Sequence, residues 1–358
     1  MNKKSILHLF QKELPLGVKT FFLNLFLIIV SIFITCVLIE IFYRIYDRLY
    51  PPVAVMTQIG PKFNPGTSGD YLGGKTSIDS YGFRNGFDPD IWNRKRKVMM
   101  IGDSVGFGIS VDDNQTISYL LNVYFKDADV GFLNLCNPGW DTVLLRGRLF
   151  QYGAELAPWE LIIWMYYIND AKYSVNYFPL EKIIVNKPSP FEQLSLKDIF
   201  LFKWPTALKE RIIKHRLSKQ IANDPVHSSW DDYYHWCLSS YEPGSATRLN
   251  EEAFIKDIVL WAKNNGTKIV FVVFPAENQL NDGNRVPQEF LLNLGKQENF
   301  PVLDLLPYLT ETNKNGKVYL PEDHQHLNAY GNKIVSDLIK EWLIQIGYFK
   351  PVSSNKSD

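Results

Sequence analysis

Four short polar stretches of this 358-residue chain contain side chains capable of nucleophilic and acid–base chemistry. The stretch IGDSVGFG places Ser104 directly after an apolar run at 97–101, and PEDHQHLN puts Asp323 and His326 three residues apart. At that spacing a carboxylate can hold Nδ1 of the imidazole while Nε2 faces a serine hydroxyl. A serine hydroxyl is a poor nucleophile unless such a base accepts its proton. The pattern therefore predicts Ser104 as nucleophile, His326 as base and Asp323 as the carboxylate that orients the base.

Ser104 and the Asp323–His326 pair are far apart in the sequence, so the strands and helices of the fold must bring them together. Apolar, β-branched runs, each short enough for one strand, alternate with stretches of helical periodicity. This alternation is typical of a parallel sheet covered by helices on both faces, in which ligands bind at the carboxyl ends of the strands. The predicted strands are 97–101, 131–135, 161–167, 268–274 and 301–306, and the predicted helices are 114–125, 142–154, 249–264, 286–296 and 328–346.

Two further polar positions follow strands of this predicted sheet. Asn169 comes directly after the third strand, in YYIND, and Gly139 follows the second, in NLCNPGWDT. Each motif alone also has a structural explanation, since Ser104 could cap a helix and Asp323 could open the last one. Their occurrence at successive strand ends, in chain order, favours one shared site.

These four motifs resemble the four sequence blocks of the SGNH hydrolase family, also called GDSL-type esterases and lipases. GDSV contains Ser104, the second block contains Gly139, IND contains Asn169, and DHQHLN contains Asp323 and His326. The resemblance implies a flavodoxin-like three-layer α/β/α sandwich with a parallel sheet. It also implies a Ser104–His326–Asp323 triad and an oxyanion hole formed by the backbone N–H groups of Ser104 and Gly139 and the amide of Asn169.

The resemblance covers residues 97–346, and YGFRNG at 81–86 is similar to membrane-anchored bacterial members of the family. One position departs from the pattern, because the third block usually has Gly where this chain has Tyr167. The G-x-S-x-G pattern around Ser104 also fits an α/β-hydrolase. That fold usually separates its acid from its histidine by many residues, so the D-x-x-H spacing argues against it.

An apolar segment near the N-terminus predicts a membrane anchor. From Thr20 to Ile39 the chain carries no charge, and twenty helical residues match a hydrocarbon layer of about 30 Å. A cleaved signal peptide is the alternative, but the run is longer than a typical signal core and no small-x-small site follows it. We expect a single-pass protein with a cytoplasmic N-terminus and an extracytoplasmic domain, because basic residues precede the span: Lys3, Lys4, Lys12 and Lys19.

The predicted organisation is a cytoplasmic N-terminus (1–19), a transmembrane anchor (20–43), a linker and entry segment (44–95), the hydrolase-like domain (96–350) and a tail (351–358). Within the domain, the strand–helix rhythm breaks at about 171–248, which predicts an insertion over the site with a basic amphipathic helix at 203–222. Its aromatic residues could stack on sugar rings or form a small core of their own: Tyr173, Tyr177, Phe178, Trp204, Trp230, Tyr233, Tyr234 and Trp236.

Charge and metal-ligand patterns restrict the function classes. Lys plus Arg and Asp plus Glu each total 38, so no nucleic-acid partner is indicated. His324 and His326 beside Asp323 could be metal ligands, but no third histidine lies at a suggestive distance, so neither metal nor cofactor is expected. Cys136 and Cys237 could form a bridge or remain buried thiols.

Together these features predict a membrane-anchored extracytoplasmic serine esterase. We expect it to hydrolyse acyl esters, with acetyl as the expected group, on a carbohydrate or lipid-linked substrate. Two alternatives remain open. An acyltransferase could pass the acyl group from Ser104 to a glycan hydroxyl, or the fold could serve as a non-catalytic glycan-binding or assembly protein.

Overall fold

A computed structural model describes residues 16–57, 60–156, 158–171, 229–321 and 323–350. The chain divides into two compact units. Among the described residues, the first unit consists of helix α1 (Leu16–Leu49) and the residues up to Pro51, and the second begins at Pro52.

Helix α1 is the one helix in the described ranges that is long and apolar enough to cross a membrane. Its apolar stretch, Thr20–Tyr46, is 27 residues long, and the most apolar 18 residues within it have a mean hydropathy of 2.9. At 1.5 Å per residue this stretch is about 40 Å long, which exceeds the hydrocarbon thickness of a bilayer. The helix continues beyond the predicted anchor, where Arg44 donates to Glu40 one turn earlier.

The segment predicted as a linker or loop-rich entry forms two β-hairpins. Strands β1 (Ala54–Thr57) and β2 (Gly60–Phe63) are antiparallel, as are β3 (Ser68–Tyr71) and β4 (Gly74–Ser77). The side chains of Val53, Phe63 and Ile78 are buried in the main core. The proline and glycine residues here therefore shape turns of a segment that packs against the domain.

The central sheet has five strands that are all parallel, as predicted. Along the chain the strands are β5 (Arg96–Gly102), β6 (Val130–Asn134), β7 (Leu161–Tyr167), β8 (Lys268–Phe274) and β9 (Val302–Asp304). Their spatial order is β6-β5-β7-β8-β9, which is the 2-1-3-4-5 order of flavodoxin-like sheets. Each strand boundary lies within one residue of the predicted one, except that the last strand ends two residues early.

Alternate side chains of each strand enter two separate cores. Val98 and Met100 face one core, whereas Met99 and Ile101 face the other. Because successive side chains of a strand point to opposite faces, the two cores lie on opposite faces of the sheet. Helices α3 (Ile117–Tyr124) and α10 (Ala329–Gln345) cover the first face, and α4 (Thr142–Glu155), α6 (Ala246–Asn264) and α8 (Val286–Glu298) cover the second. The predicted three-layer α/β/α fold is confirmed.

Four short helices were not expected from periodicity: α2 (Ser104–Phe107), α5 (Trp230–Ser239), α7 (Glu277–Asp282) and α9 (Leu306–Asn315). The last one shortens the predicted 301–306 strand, because the Asp304 carboxylate accepts the Leu306 N–H and starts the helix. Most of the predicted insertion, 172–228, lies outside the described residues, and so does its basic helix. Cys136 and Cys237 are both buried, and neither forms a disulfide bridge within the described part of the chain.

Candidate active site

Ser104 lies in a tight corner that follows strand β5 at the edge of the sheet. The Asp103 carboxylate accepts the Val105 N–H at 2.9 Å and so caps α2, whose first residue is Ser104. A Cβ at Gly106 would lie 2.6 Å from the Cys136 sulfur, so this corner has room only for glycine. The corner holds Ser104 at 9% exposure in the position where the sequence predicts a nucleophile.

The structure joins the three predicted triad side chains in one row of hydrogen bonds. Nε2 of His326 lies 2.8 Å from Oγ of Ser104. Nδ1 of the same ring lies 2.8 and 2.9 Å from the two carboxylate oxygens of Asp323. With Nδ1 donating to the carboxylate, Nε2 is left as an acceptor for the serine proton. This geometry permits general-base activation of the hydroxyl.

The Asp323 carboxylate is fixed by its own turn. It accepts the backbone N–H groups of Gln325 and His326 at 3.1 and 2.9 Å. Burial raises the pKa of Asp323, but its hydrogen bonds and the charge of His326 outweigh that effect, and the net pKa is lowered. The carboxylate therefore remains ionised beside the imidazole near neutral pH.

The two other predicted site residues follow the strands on either side of β5. Asn169 comes after β7, and Gly139 lies at the exposed tip of the turn after β6. The Asn137 N–H donates to the Gly102 carbonyl at 2.9 Å, which ties this turn to the end of β5. Gly139 has a positive φ of +76°, and its N–H donates to no described residue.

The Asn169 amide lies beside the Tyr233 hydroxyl and the Asp103 carboxylate, two neighbours that the sequence did not predict for it. Its Nδ2 donates to the Tyr233 hydroxyl at 3.4 Å. Burial raises the pKa of Asp103, although the hydrogen bond from the Val105 N–H, the charge of His326 and the polar groups of Asn169 and Ser104 act in the opposite direction. Asp103 follows the first strand in the same motif as the serine, so its place in the sequence was the available signal.

Asp170 closes the loop that carries Asn169. Its N–H donates to the Tyr167 carbonyl at 3.0 Å, and its carboxylate accepts the Tyr167 N–H at 3.3 Å. Burial, followed by the charges of Asp103 and Glu251, raises the pKa of Asp170 well above its usual range. A protonated Asp170 can hold this loop without adding a second buried charge beside Asp103.

Arg148 on α4 holds the turn that carries Gly139. Its guanidinium donates to the Leu135 carbonyl at 2.8 Å and to Oδ1 of Asn137 at 3.1 Å. The Trp140 ring lies over the same group, 4.0 Å from ring centroid to Cζ. Burial lowers the pKa of Arg148 to about 10, so the group remains a cation at neutral pH. The helical pattern of 142–154 gave no sign of this contact.

Arg84, from the YGFRNG stretch, holds the opposite end of α2. It is 1% exposed, donates to the carbonyl groups of Phe107 and Gly108, and forms an ion pair with Asp113 at 2.9 Å. Burial lowers the pKa of Arg84, and Asp113 partly reverses that shift. Arg84 therefore holds the end of α2 farther from Ser104, and it forms no described hydrogen bond with Ser104, Asp323 or His326.

Tyr167, where the family resemblance leads one to expect glycine, is fully buried in the core that contains Cys237 and Tyr319. Its hydroxyl has no hydrogen-bond partner among the described residues.

The two histidines that the sequence suggested as possible metal ligands have different partners. Nδ1 of His324 lies 2.7 Å from the Glu277 carboxylate, and Nδ1 of His326 is hydrogen-bonded to Asp323.

No protein-family model and no curated protein matches the sequence. Among solved structures, the chain is similar to a member of the lipolytic protein G-D-S-L family from Veillonella parvula DSM 2008, at 12% identity and a TM-score of 0.42, covering 69% of this chain and 97% of that one. It is similar to an acetyl xylan esterase at 14% identity and a TM-score of 0.41, covering 69% and 100%. A catalytic mutant of an acetylxylan esterase from Geobacillus stearothermophilus gives 17% identity and a TM-score of 0.41, covering 73% and 97%. At these values the site geometry, and not the likeness, carries the functional proposal.

Proposed function

We propose that this chain is a serine esterase in which Ser104 is the nucleophile, His326 the general base and Asp323 its orienting carboxylate. The observation that carries the proposal is the 2.8 Å contact between Nε2 of His326 and Oγ of Ser104, with Nδ1 held by Asp323. A serine that only capped a helix would have no need of an imidazole that a carboxylate orients in this way.

In the proposed reaction, Ser104 Oγ attacks the ester carbonyl while Nε2 of His326 accepts its proton. The tetrahedral intermediate collapses, the carbon–oxygen bond to the alcohol breaks, and the imidazolium gives that proton to the departing alcohol. Water then attacks the acyl-enzyme with the same base, releasing the carboxylic acid and restoring the serine. The net change is ester plus water to acid plus alcohol, with no external reductant or oxidant.

The developing oxyanion would be stabilised by the backbone N–H groups of Ser104 and Gly139 and by the Asn169 amide. Three observations support this assignment. Ser104 is the first residue of α2, so its N–H has no partner within the helix. The Gly139 N–H donates to no described residue. Asn169 follows β7, which lies directly beside the nucleophile strand.

The finer parts of the proposal concern location and substrate. Helix α1 would anchor the chain in a membrane, with the lysine-rich N-terminus in the cytoplasm and the α/β domain outside. We propose acyl esters, acetyl above all, on a carbohydrate or lipid-linked molecule as the substrate class. Membrane lipid and the acylated substrate are the partners of this scheme, and nucleic acid has no place in it.

The decisive test compares Ser104→Ala with Ser336→Ala in the full chain. Ser336 is also buried, but its hydroxyl donates only to the Lys333 carbonyl in its own helix, so it is a matched control. We expect Ser104→Ala to abolish labelling by a fluorophosphonate probe and to lower kcat on p-nitrophenyl acetate by roughly 10⁴–10⁶-fold. Folded Ser104→Ala with the turnover of Ser336→Ala would refute the serine mechanism.

A further inference from the structure

Two stacked rings border the catalytic turn. The indole of Trp230, at the start of α5, and the imidazole of His324 lie with centroids 5.8 Å apart and planes at 22°. His324 stands between the two triad members of its turn, Asp323 and His326. The pair of rings, Trp230 and His324, is called the aromatic pair below.

Tyr233 links the aromatic pair to the other side of the site. Its ring centroid is 5.4 Å from that of Trp230, one helical turn away on α5, and its hydroxyl is 3.4 Å from Nδ2 of Asn169. A molecule bound at the pair would therefore have the triad turn at one side and the Asn169 loop at the other.

The pair is held rigidly although it is only partly buried. The side chain of His324 is 42% exposed and has a positive φ of +62°, which costs a non-glycine residue roughly 1–3 kcal/mol. Three contacts maintain this conformation: the Glu277 carboxylate at 2.7 Å from Nδ1, the Glu277 N–H on the His324 carbonyl at 3.1 Å, and the Trp230 ring. Strain of this kind persists where the surroundings fix it, and it concentrates at ligand sites.

Trp230 is fixed as well. Its indole N–H donates to the Asn278 side chain, and the Asn278 amide donates to Asp231 at 2.7 Å. Tyr234, on the same helix, is an aromatic residue of the core: it is 1% exposed and its hydroxyl donates to Asp282. Trp230 differs from it in lying partly exposed beside the catalytic turn.

The chemistry of the pair fits a sugar ring. Aromatic planes stack on the C–H face of a pyranose, and Nε2 of His324, which has no hydrogen-bond partner among the described residues, can bond a ring hydroxyl. A fatty acyl chain would instead call for aliphatic side chains. We infer that the aromatic pair is a subsite for the sugar that carries the ester, and this role rests on the proposed esterase function.

The test measures saccharide binding without catalysis. Ser104→Ala in the full chain, kept in a zwitterionic detergent without sugar head groups, is titrated calorimetrically with xylohexaose, mannohexaose and chitohexaose. We expect at least one to bind, and Trp230→Ala in that background to weaken binding about tenfold. Trp230→Phe should lose less because it keeps a ring. His324→Asn, which tolerates the positive φ, should also weaken binding.

Trp342→Ala is the matched control, because this half-buried tryptophan lies on α10 and packs on the core of the domain. Equal affinity of the Trp230→Ala and Trp342→Ala variants would overturn the subsite. So would the absence of any saccharide binding in a chain whose wild-type form hydrolyses p-nitrophenyl acetate, a result that leaves the esterase proposal intact. Saccharide binding that depends on Trp230, in a chain whose wild-type form has no esterase activity, would refute the esterase and with it the role of the pair as a subsite for an ester-bearing sugar.

Discussion

Replacing Arg148 by Met is expected to slow catalysis although no described contact links this side chain to the triad. The guanidinium fixes the turn that carries Gly139, through Leu135, Asn137 and the Trp140 ring. Methionine keeps the apolar stem but removes every donor, so the Leu135 carbonyl and Oδ1 of Asn137 lose their short hydrogen bonds. The turn then loses the restraint that holds the Gly139 N–H toward the proposed oxyanion.

The magnitude follows from these contacts. Two hydrogen bonds from a charged donor contribute roughly 1.5 kcal/mol each, and the ring contact about 0.5–1 kcal/mol. Arg148→Met should therefore lower the free energy of unfolding by about 3–4 kcal/mol. Complete loss of one oxyanion donor costs roughly 10²–10³-fold in kcat, which is the ceiling for this variant. We expect a fall of at least about tenfold in kcat and a much smaller change in KM, because the oxyanion develops after binding.

Arg146 is the matched control, since it lies on the same helix, forms an ion pair with Asp257 at 2.7 Å and contacts the Phe150 ring at 4.5 Å. The Arg148→Met and Arg146→Met variants are both assayed on p-nitrophenyl acetate after the folded fraction of each is measured by near-UV circular dichroism. Arg148→Lys adds a second measurement, because lysine keeps the charge but lacks the two-pronged donor of arginine. Its kcat should lie between those of the wild type and Arg148→Met. If folded Arg148→Met kept the kcat of Arg146→Met, the positioning role would be wrong.

Three further outcomes are expected. Asn169→Ala should lower kcat by roughly 10²–10³-fold with little change in KM, as measured by steady-state kinetics. A lower melting temperature at unchanged kcat would show instead that Asn169 has only a structural role. Burial raises the pKa of Glu251 from 4.5 to about 8, so between these pH values the folded state keeps a proton that the unfolded state has lost, and stability falls as pH rises. Glu251→Gln should remove up to a few kcal/mol of that dependence in urea unfolding at pH 5 and pH 8, whereas parallel curves for variant and wild type would contradict the assignment. A C-terminal alkaline phosphatase fusion should be active, and the full chain should stay in carbonate-washed membranes; a soluble product lacking α1 would identify the segment as a cleaved signal.

The sequence by itself determined the sheet, its helices and the order of the polar motifs. Runs such as 161–167 and 268–274 have the length and β-branched content of buried strands, and their alternation with helices leaves few arrangements other than a parallel sheet. Once the strands are parallel, residues that follow them must collect at one edge. For this reason the sequence alone predicts that Ser104 and Asn169 are neighbours.

Local periodicity gave no information about which face of an element meets which neighbour. Arg146 and Arg148 have the same chemistry on the same predicted helix, and only the packing of α4 against the sheet turns one toward the Gly139 turn and the other toward Asp257. Trp230 and Tyr234 are likewise both aromatic residues of one short helix. Tyr234 is fully buried, whereas Trp230 is only partly buried and lies beside His324. This difference arises from a contact between segments nearly one hundred residues apart, so no pattern within either segment could predict it.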